Sequence, residues 1–140
     1  MISVIIAAKN ASKYIGEAID SVKKQNVKDI EMIVVCDACT DNTKQIAEQL
    51  GCKTIEVNFS HIGKTRNAGL KKAKGEYILY VDSDDIMEEN GILNLYNEFL
   101  KDNTLEAVFS MSHEFVSPEL SDEDKRKLKA RPDDYFGALA

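Results

Sequence analysis

The chain has 140 residues, 44% of them apolar and 30% charged, with a formal net charge of −6. At that length folding buries about two-thirds of the unfolded surface, enough for one domain with its own core. The acidic balance argues against a nucleic-acid binder driven by phosphate neutralisation, and no apolar run approaches the roughly 18 residues of a membrane span.

The first apolar stretch, Ile2 to Ala8, is too short for a signal peptide and lacks a basic leader. Three cysteines are an odd count, which favours free thiols in a reducing cytosol over a disulfide scaffold. The expected location is therefore cytoplasmic, with room for peripheral attachment to the inner face of a membrane.

Taken in chain order, the apolar pattern alternates between two periods. Ser3 to Ala8 is a continuous, β-branched run of strand length. Ala11, Tyr14, Ile15, Ala18, Ile19 and Val22 then mark one face of a helix. Ile30 to Cys36 predicts a second buried strand. Thr40 or Asp41 can cap a helix carrying Ile46, Ala47 and Leu50, with Gly51 closing it.

Cys52 to Val57 predicts a third strand, and Ser60 caps a helix running to Ala73 that Gly75 ends. Glu76 to Val81 predicts the fourth strand. A helix beginning near Glu88 carries Ile92, Leu95, Tyr96, Phe99 and Leu100, and Leu105 to Met111 predicts a fifth strand.

Strand and helix alternating four times imply crossover connections and a mainly parallel sheet covered on both faces. The fold class is α/β, a Rossmann-like three-layer α/β/α arrangement. Right-handed crossovers gather the strand C-termini at one edge, where ligands of open α/β sheets bind. The domain occupies residues 1–111. Beyond it, 11 of the 16 residues from Glu119 to Asp134 are charged, so residues 112–140 read as a solvated helix or a mobile segment.

Three groups of residues carry candidate chemistry. Val81-Asp82-Ser83-Asp84-Asp85 puts three carboxylates just past a strand. In extended geometry Asp82 and Asp84 point the same way, roughly 7 Å apart. Such a cluster suits a hard cation held by oxygen, Mg²⁺ or Mn²⁺; it equally suits a polar loop whose carboxylates cap the next helix.

Arg66 has Leu70 and Ala73 at helical spacing, which puts it on the buried side of its helix near a positive N-terminus. Its partner is either a phosphate or a strand-end Asp. Cys36-Asp37-Ala38-Cys39 offers a C-x-x-C, for which a core role of Cys36 outweighs a redox or zinc role. Asp37 stands alone as a carboxylate at the ligand edge, able to accept from a base N–H or a ribose hydroxyl.

These pieces in this order resemble the nucleotide-sugar-binding half of the family 2 glycosyltransferases, whose fold is the glycosyltransferase A type. The opening strand through Asn10 is similar to the family's. So is the spacing of Tyr14, Ile15, Ala18, Ile19, Ser21, Val22 and Gln25. Glu31 to Asp37 with Thr40 to Thr43, Lys64 to Leu70 with Ala73 to Ile78, and Asp82-Ser83-Asp84-Asp85 match three further motifs.

The resemblance covers about residues 1 to 110. It implies that Ala7, Ala8 and Asn10 line a nucleotide pocket and that Asp37 contacts the base, usually uracil. By the same resemblance Arg66 lies beside the nucleotide, and Asp82 and Ser83 belong to the donor site. Asp84, with Asp82, holds Mn²⁺ or Mg²⁺.

The implied activity is hexosyl transfer from a nucleoside-diphosphate sugar, UDP-linked, to a saccharide, lipid or protein hydroxyl, with inversion, as in cell-wall or polysaccharide synthesis. The general base belongs to an acceptor half that these residues do not match. Two departures stand out: Ala7 replaces a frequent proline, and Cys36-Asp37-Ala38-Cys39 replaces Asp-Asp-Gly-Ser, retaining the second Asp.

The rival readings are a nucleotidyltransferase, which would need a glycine-rich basic loop after the first strand, and a non-catalytic nucleotide-binding module, which turnover would exclude. A phosphoacceptor domain would need an acidic pair where Lys9 and Asn10 stand.

Overall fold

The computed structural model describes residues 1–102 and 104–110. Four strands, β1 (Ile2–Ala8), β2 (Ile30–Asp37), β3 (Lys53–Val57) and β4 (Tyr77–Asp82), alternate with four helices. The helices are α1 (Ile15–Lys23), α2 (Thr43–Gln49), α3 (Ile62–Leu70) and α4 (Gly91–Lys101). The sheet is parallel throughout, in the order β3-β2-β1-β4.

That order follows from the crossover rule. Steps from β1 to β2 to β3 travel one way and put α1 and α2 on one face. The return past β1 to β4 puts α3 on the other. β1 and β2 are consequently central, and Val4, Ile5, Ile6, Ile33, Val34 and Val35 are fully buried.

The larger apolar cluster joins alternate residues of β1 and β2 to Ile15, Ile19 and Val22 of α1, Ala47 of α2 and Ile92 of α4. The smaller one joins Ile5, Ile33 and Val35 to Ala68 of α3. Gly69 lets α3 lie close on the sheet, since a Cβ there would stand 2.5 Å from Ile5 Cγ2.

The α/β reading holds, with local corrections. No strand forms across residues 105–110; Leu105 and Phe109 are exposed, so the apolar run has no face to cover. Met111 and residues 112–140 lie outside the described residues, and residues 1–108 make one compact unit.

Helix α3 is capped by His61, whose Nδ1 accepts the Lys64 N–H at 3.4 Å, and not by Ser60. The same helix ends at Leu70, short of Ala73. Gly75 serves another purpose: its N–H donates to Ser3 Oγ at 2.8 Å, and a Cβ would stand 2.6 Å from the Ser3 nitrogen. Close approach to β1 requires glycine there. Helix α4 starts at Gly91 after a loop, not near Glu88, and Tyr14 and Leu100 are exposed.

Candidate functional site

In an open parallel sheet the ligand crevice lies where the strand order reverses, outside the strand C-termini. Here that point is between β1 and β4. Ala7 is in register with Asp82 across that pair, and Ala8 with Cys36 on the other side. Ala7 and Ala8 are buried, so they present backbone and little else to the crevice.

The loops above this edge are tied by side chains. Asn10, in a left-handed conformation (φ 50°), accepts the Thr40 N–H at 2.8 Å. Asp41 accepts the Ser12 N–H at 2.9 Å, and Thr43 Oγ1 accepts the Ala11 N–H at 2.8 Å. Burial alone would raise the Asp41 pKa, but donation from Thr43 and Ser12 outweighs it and holds the carboxyl well below its usual range. The sequence signal for this knot was the Asp41-x-Thr43 turn pattern, read only as a helix cap.

Asp37 is buried, and four donors converge on it. Phe59 and Ser60 N–H reach Oδ1 at 2.7 and 3.0 Å; His61 N–H and Thr65 Oγ1 reach Oδ2 at 3.1 and 2.7 Å. A carboxylate has about four acceptor positions. The oxygens expected to face a base are thus occupied, and the side chain fixes the β3–α3 loop and the start of α3. Burial pushes this carboxyl up, but the Ser60, Thr65, Phe59 and His61 donors prevail and lower it to about 2.

Arg66 is not on the buried face of α3. That face is Thr65 and Gly69, while Leu70 is exposed. Three glycine or alanine positions displace the helix's apolar stripe from the one read off Leu70 and Ala73. Arg66 lies on the flank, with its NH2 group donating to Asp82 Oδ1 at 2.5 Å and its guanidinium 5.6 Å from the Tyr80 ring centroid. Both partners are open to solvent, at 36% and 51% side-chain exposure, so the pair remains accessible to a ligand.

Beyond Asp82 the chain turns and does not continue extended. Ser83 and Asp84 form the turn, closed by the Asp85 N–H to the Asp82 carbonyl at 3.1 Å. The alternating directions expected for Asp82, Asp84 and Asp85 do not apply. Burial, then the Asp82 and Asp84 charges, raise the Asp85 pKa. These donors are all oxygen, the set that Mg²⁺ and Mn²⁺ prefer. Among the described residues no group of three or more His, Cys, Asp or Glu is arranged to hold a metal ion.

The cysteines are free, and Cys36 belongs to the apolar cluster. Burial, then the Cys39 thiol, push Cys36 up to about 12, which leaves it an inert core thiol. Cys39 is half-buried and donates to the Ala8 carbonyl at 3.4 Å.

The topology is that of a Rossmann-like α/β domain of the glycosyltransferase A type. The glycosyl transferase family 2 model matches residues 3–134, and the chain belongs to that family. It is 38% identical over 104 residues to the glycosyltransferase GlyG of Streptococcus pneumoniae, covering 70% of this chain and 35% of GlyG.

Among solved structures it is similar to Staphylococcus aureus TarS 1-349 in complex with UDP-GlcNAc. The TM-score is 0.64 at 38% identity over 72% of this chain and 31% of that one. The mannosyltransferase PcManGT of Pyrobaculum calidifontis, in complex with GDP-Man and Mn²⁺, shares the fold, with a TM-score of 0.68 at 23% identity over 74% and 33% of the two chains. The chain thus spans about a third of the length of these relatives. No helix among the described residues is long and apolar enough to cross a membrane.

Proposed function

We propose that residues 1–111 are the donor-binding domain of a glycosyltransferase that takes a sugar from a nucleoside-diphosphate sugar, UDP-linked, and delivers it to an acceptor hydroxyl with inversion. The observation that carries this reading is the register at the reversal point. Ala7 and Asp82 are neighbours there, with Arg66 held against Asp82. The likeness to TarS bound to UDP-GlcNAc supports a UDP-linked donor.

Within the site, Ala7, Ala8 and Asn10 would form the wall against the nucleotide, and Ser83 would offer a hydroxyl beside the sugar. Asp37 would shape the base pocket through the loop it anchors. Arg66 would place a positive charge next to the diphosphate, exchanging or sharing its bond to Asp82. Asp84, with Asp82, would hold Mn²⁺ or Mg²⁺, which when bound neutralises charge on the departing diphosphate. A shell of one or two carboxylates completed by substrate phosphates is the usual arrangement for Mg²⁺.

A thermal-shift titration with UDP, with and without Mn²⁺, tests the reading. Ligand at about 100 times its dissociation constant stabilises a native site by roughly 2.7 kcal/mol, several degrees at this size. A Mn²⁺-dependent shift is expected, and its absence with every nucleoside diphosphate would overturn the proposal.

A further inference from the structure

We propose that Ser21 and Gln25 of α1 are positioning residues for the acidic loop after β4, holding it in the shape that receives the cation and diphosphate. The proposal deepens the donor-site reading above and rests on it.

A helix leaves its first N–H groups without partners, and a side chain at the N-cap usually takes one. Asn90, the residue before α4, has a left-handed backbone and makes no side-chain cap bond. The cap comes from another helix: Gln25 Oε1 accepts the Ile92 N–H at 3.1 Å. Its Nε2 donates to the Glu88 carbonyl at 2.8 Å and to the Ser21 carbonyl at 3.0 Å. Ser21 Oγ accepts the Met87 N–H at 3.0 Å while donating to the Ala18 carbonyl at 2.7 Å.

Both residues are 7% exposed, and no buried side-chain nitrogen or oxygen among the described residues lacks a partner. An amide presents one acceptor and two donors, and the structure uses both kinds. Leucine or methionine would fill the same space between α1 and α4. The amide is needed because it satisfies one loop carbonyl, of Glu88, and one helix-start N–H, of Ile92.

The consequence concerns the carboxylates. The loop's upstream end is fixed by the Ala7–Asp82 register and by Arg66; its downstream end is fixed by Ser21 and Gln25 at Met87, Glu88 and Ile92. Between them Asp84, Asp85 and Ile86 are exposed. Like charges so close would spread apart if the chain allowed it. A loop held at both ends cannot spread far, so its carboxylates stay near one another before any ligand arrives, which lowers the cost of gathering them around one.

The test compares wild type with Gln25→Met, which keeps volume and helix propensity, Ser21→Ala, and Ser21→Thr, which keeps the hydroxyl. UDP affinity is measured by calorimetry with and without Mn²⁺, and amide exchange is followed over residues 83–92. The gain in affinity from Mn²⁺ should fall about fivefold in Gln25→Met and Ser21→Ala, the worth of roughly one hydrogen bond. Metal-free affinity should stay unchanged, Met87 and Ile92 should exchange faster, and Ser21→Thr should restore the gain.

Faster exchange with an undiminished Mn²⁺ gain would overturn the proposal, leaving a purely structural clamp. Unchanged exchange would overturn it as well. If wild type itself gains nothing from Mn²⁺, the cation reading fails and this proposal with it. Should Gln25→Met not fold, Ser21→Ala carries the comparison.

Discussion

The acidic groups at the ends of β2 and β4 face the same edge of the sheet and live under opposite conditions. Asp37 is 4% exposed and takes four donors, which lower its pKa to about 2. Asp82, Asp84 and Asp85 are exposed; among the described residues only Asp82 of the three has a cationic side chain bonded to it, and the Asp85 pKa is raised. A saturated carboxylate is an anchor, whereas an open, repelling set keeps its oxygens available, as the proposed cation role requires. Proximity to the ligand edge does not distinguish these roles; the count of donors does.

The largest expected effect comes from breaking the anchor. An unsatisfied buried donor costs about 1–3 kcal/mol, and Asp37→Ala deprives three N–H groups and the Thr65 hydroxyl together. A calorimetric melting temperature lowered by roughly 10 °C is the expected outcome. A drop no larger than that of Asp84→Ala would dissolve the contrast between the two strand ends.

Next in size is the converse change. Asp84→Ala should leave the melting temperature of the free chain nearly unchanged, because among the described residues the exposed side chain takes part in no hydrogen bond or ion pair. It should weaken Mn²⁺-dependent UDP binding at least about tenfold, or 1.4 kcal/mol by calorimetric titration.

Acid sharpens the comparison further. Asp37 and Glu31 both have folded pKa values near 2, below their ordinary values of 3.8 and 4.5. For Glu31 the chief causes are the Lys53 ammonium and the Ser3 hydroxyl. A group with a depressed folded pKa gives stability that is complete above its unfolded value and is lost as pH falls toward the folded one. Denaturant midpoints should therefore hold steady above pH 5 and decline from about pH 4 to about pH 2. In Asp37→Asn that decline should be shallower.

The smallest effect is a gain. Ala38, next to the anchor, has φ 53°, a region costing an L-residue roughly 1–2 kcal/mol. Ala38→Gly should raise stability by about 1 kcal/mol in urea unfolding, part of the relief being lost to glycine's greater freedom when unfolded.

The sequence by itself determined the alternation of strands and helices, the parallel sheet and the edge at which the candidate residues gather. Each of these rests on local spacing: solid apolar runs such as Ile30 to Cys36, and the helical stripe of Ile15, Ile19 and Val22. The ordered motifs added the family.

What tertiary structure decided was which polar atoms meet. Asp37 read as a free carboxylate because Phe59, Ser60, His61 and Thr65 are more than 20 residues away and only the β2–β3 pairing brings them near. Arg66 read as buried because glycine and alanine, not leucine, form the packing stripe of α3. Leu105 to Met111 read as a strand because apolar composition gives propensity, but a strand also needs a neighbour, and none forms across residues 105–110. Gln25 gave no signal beyond its spacing, since its partners lie 63 and 67 residues ahead. Apolar burial repeats with the period of the backbone and can be read from one segment alone. A hydrogen bond between distant segments depends on where both ends finish, and only the folded chain fixes that.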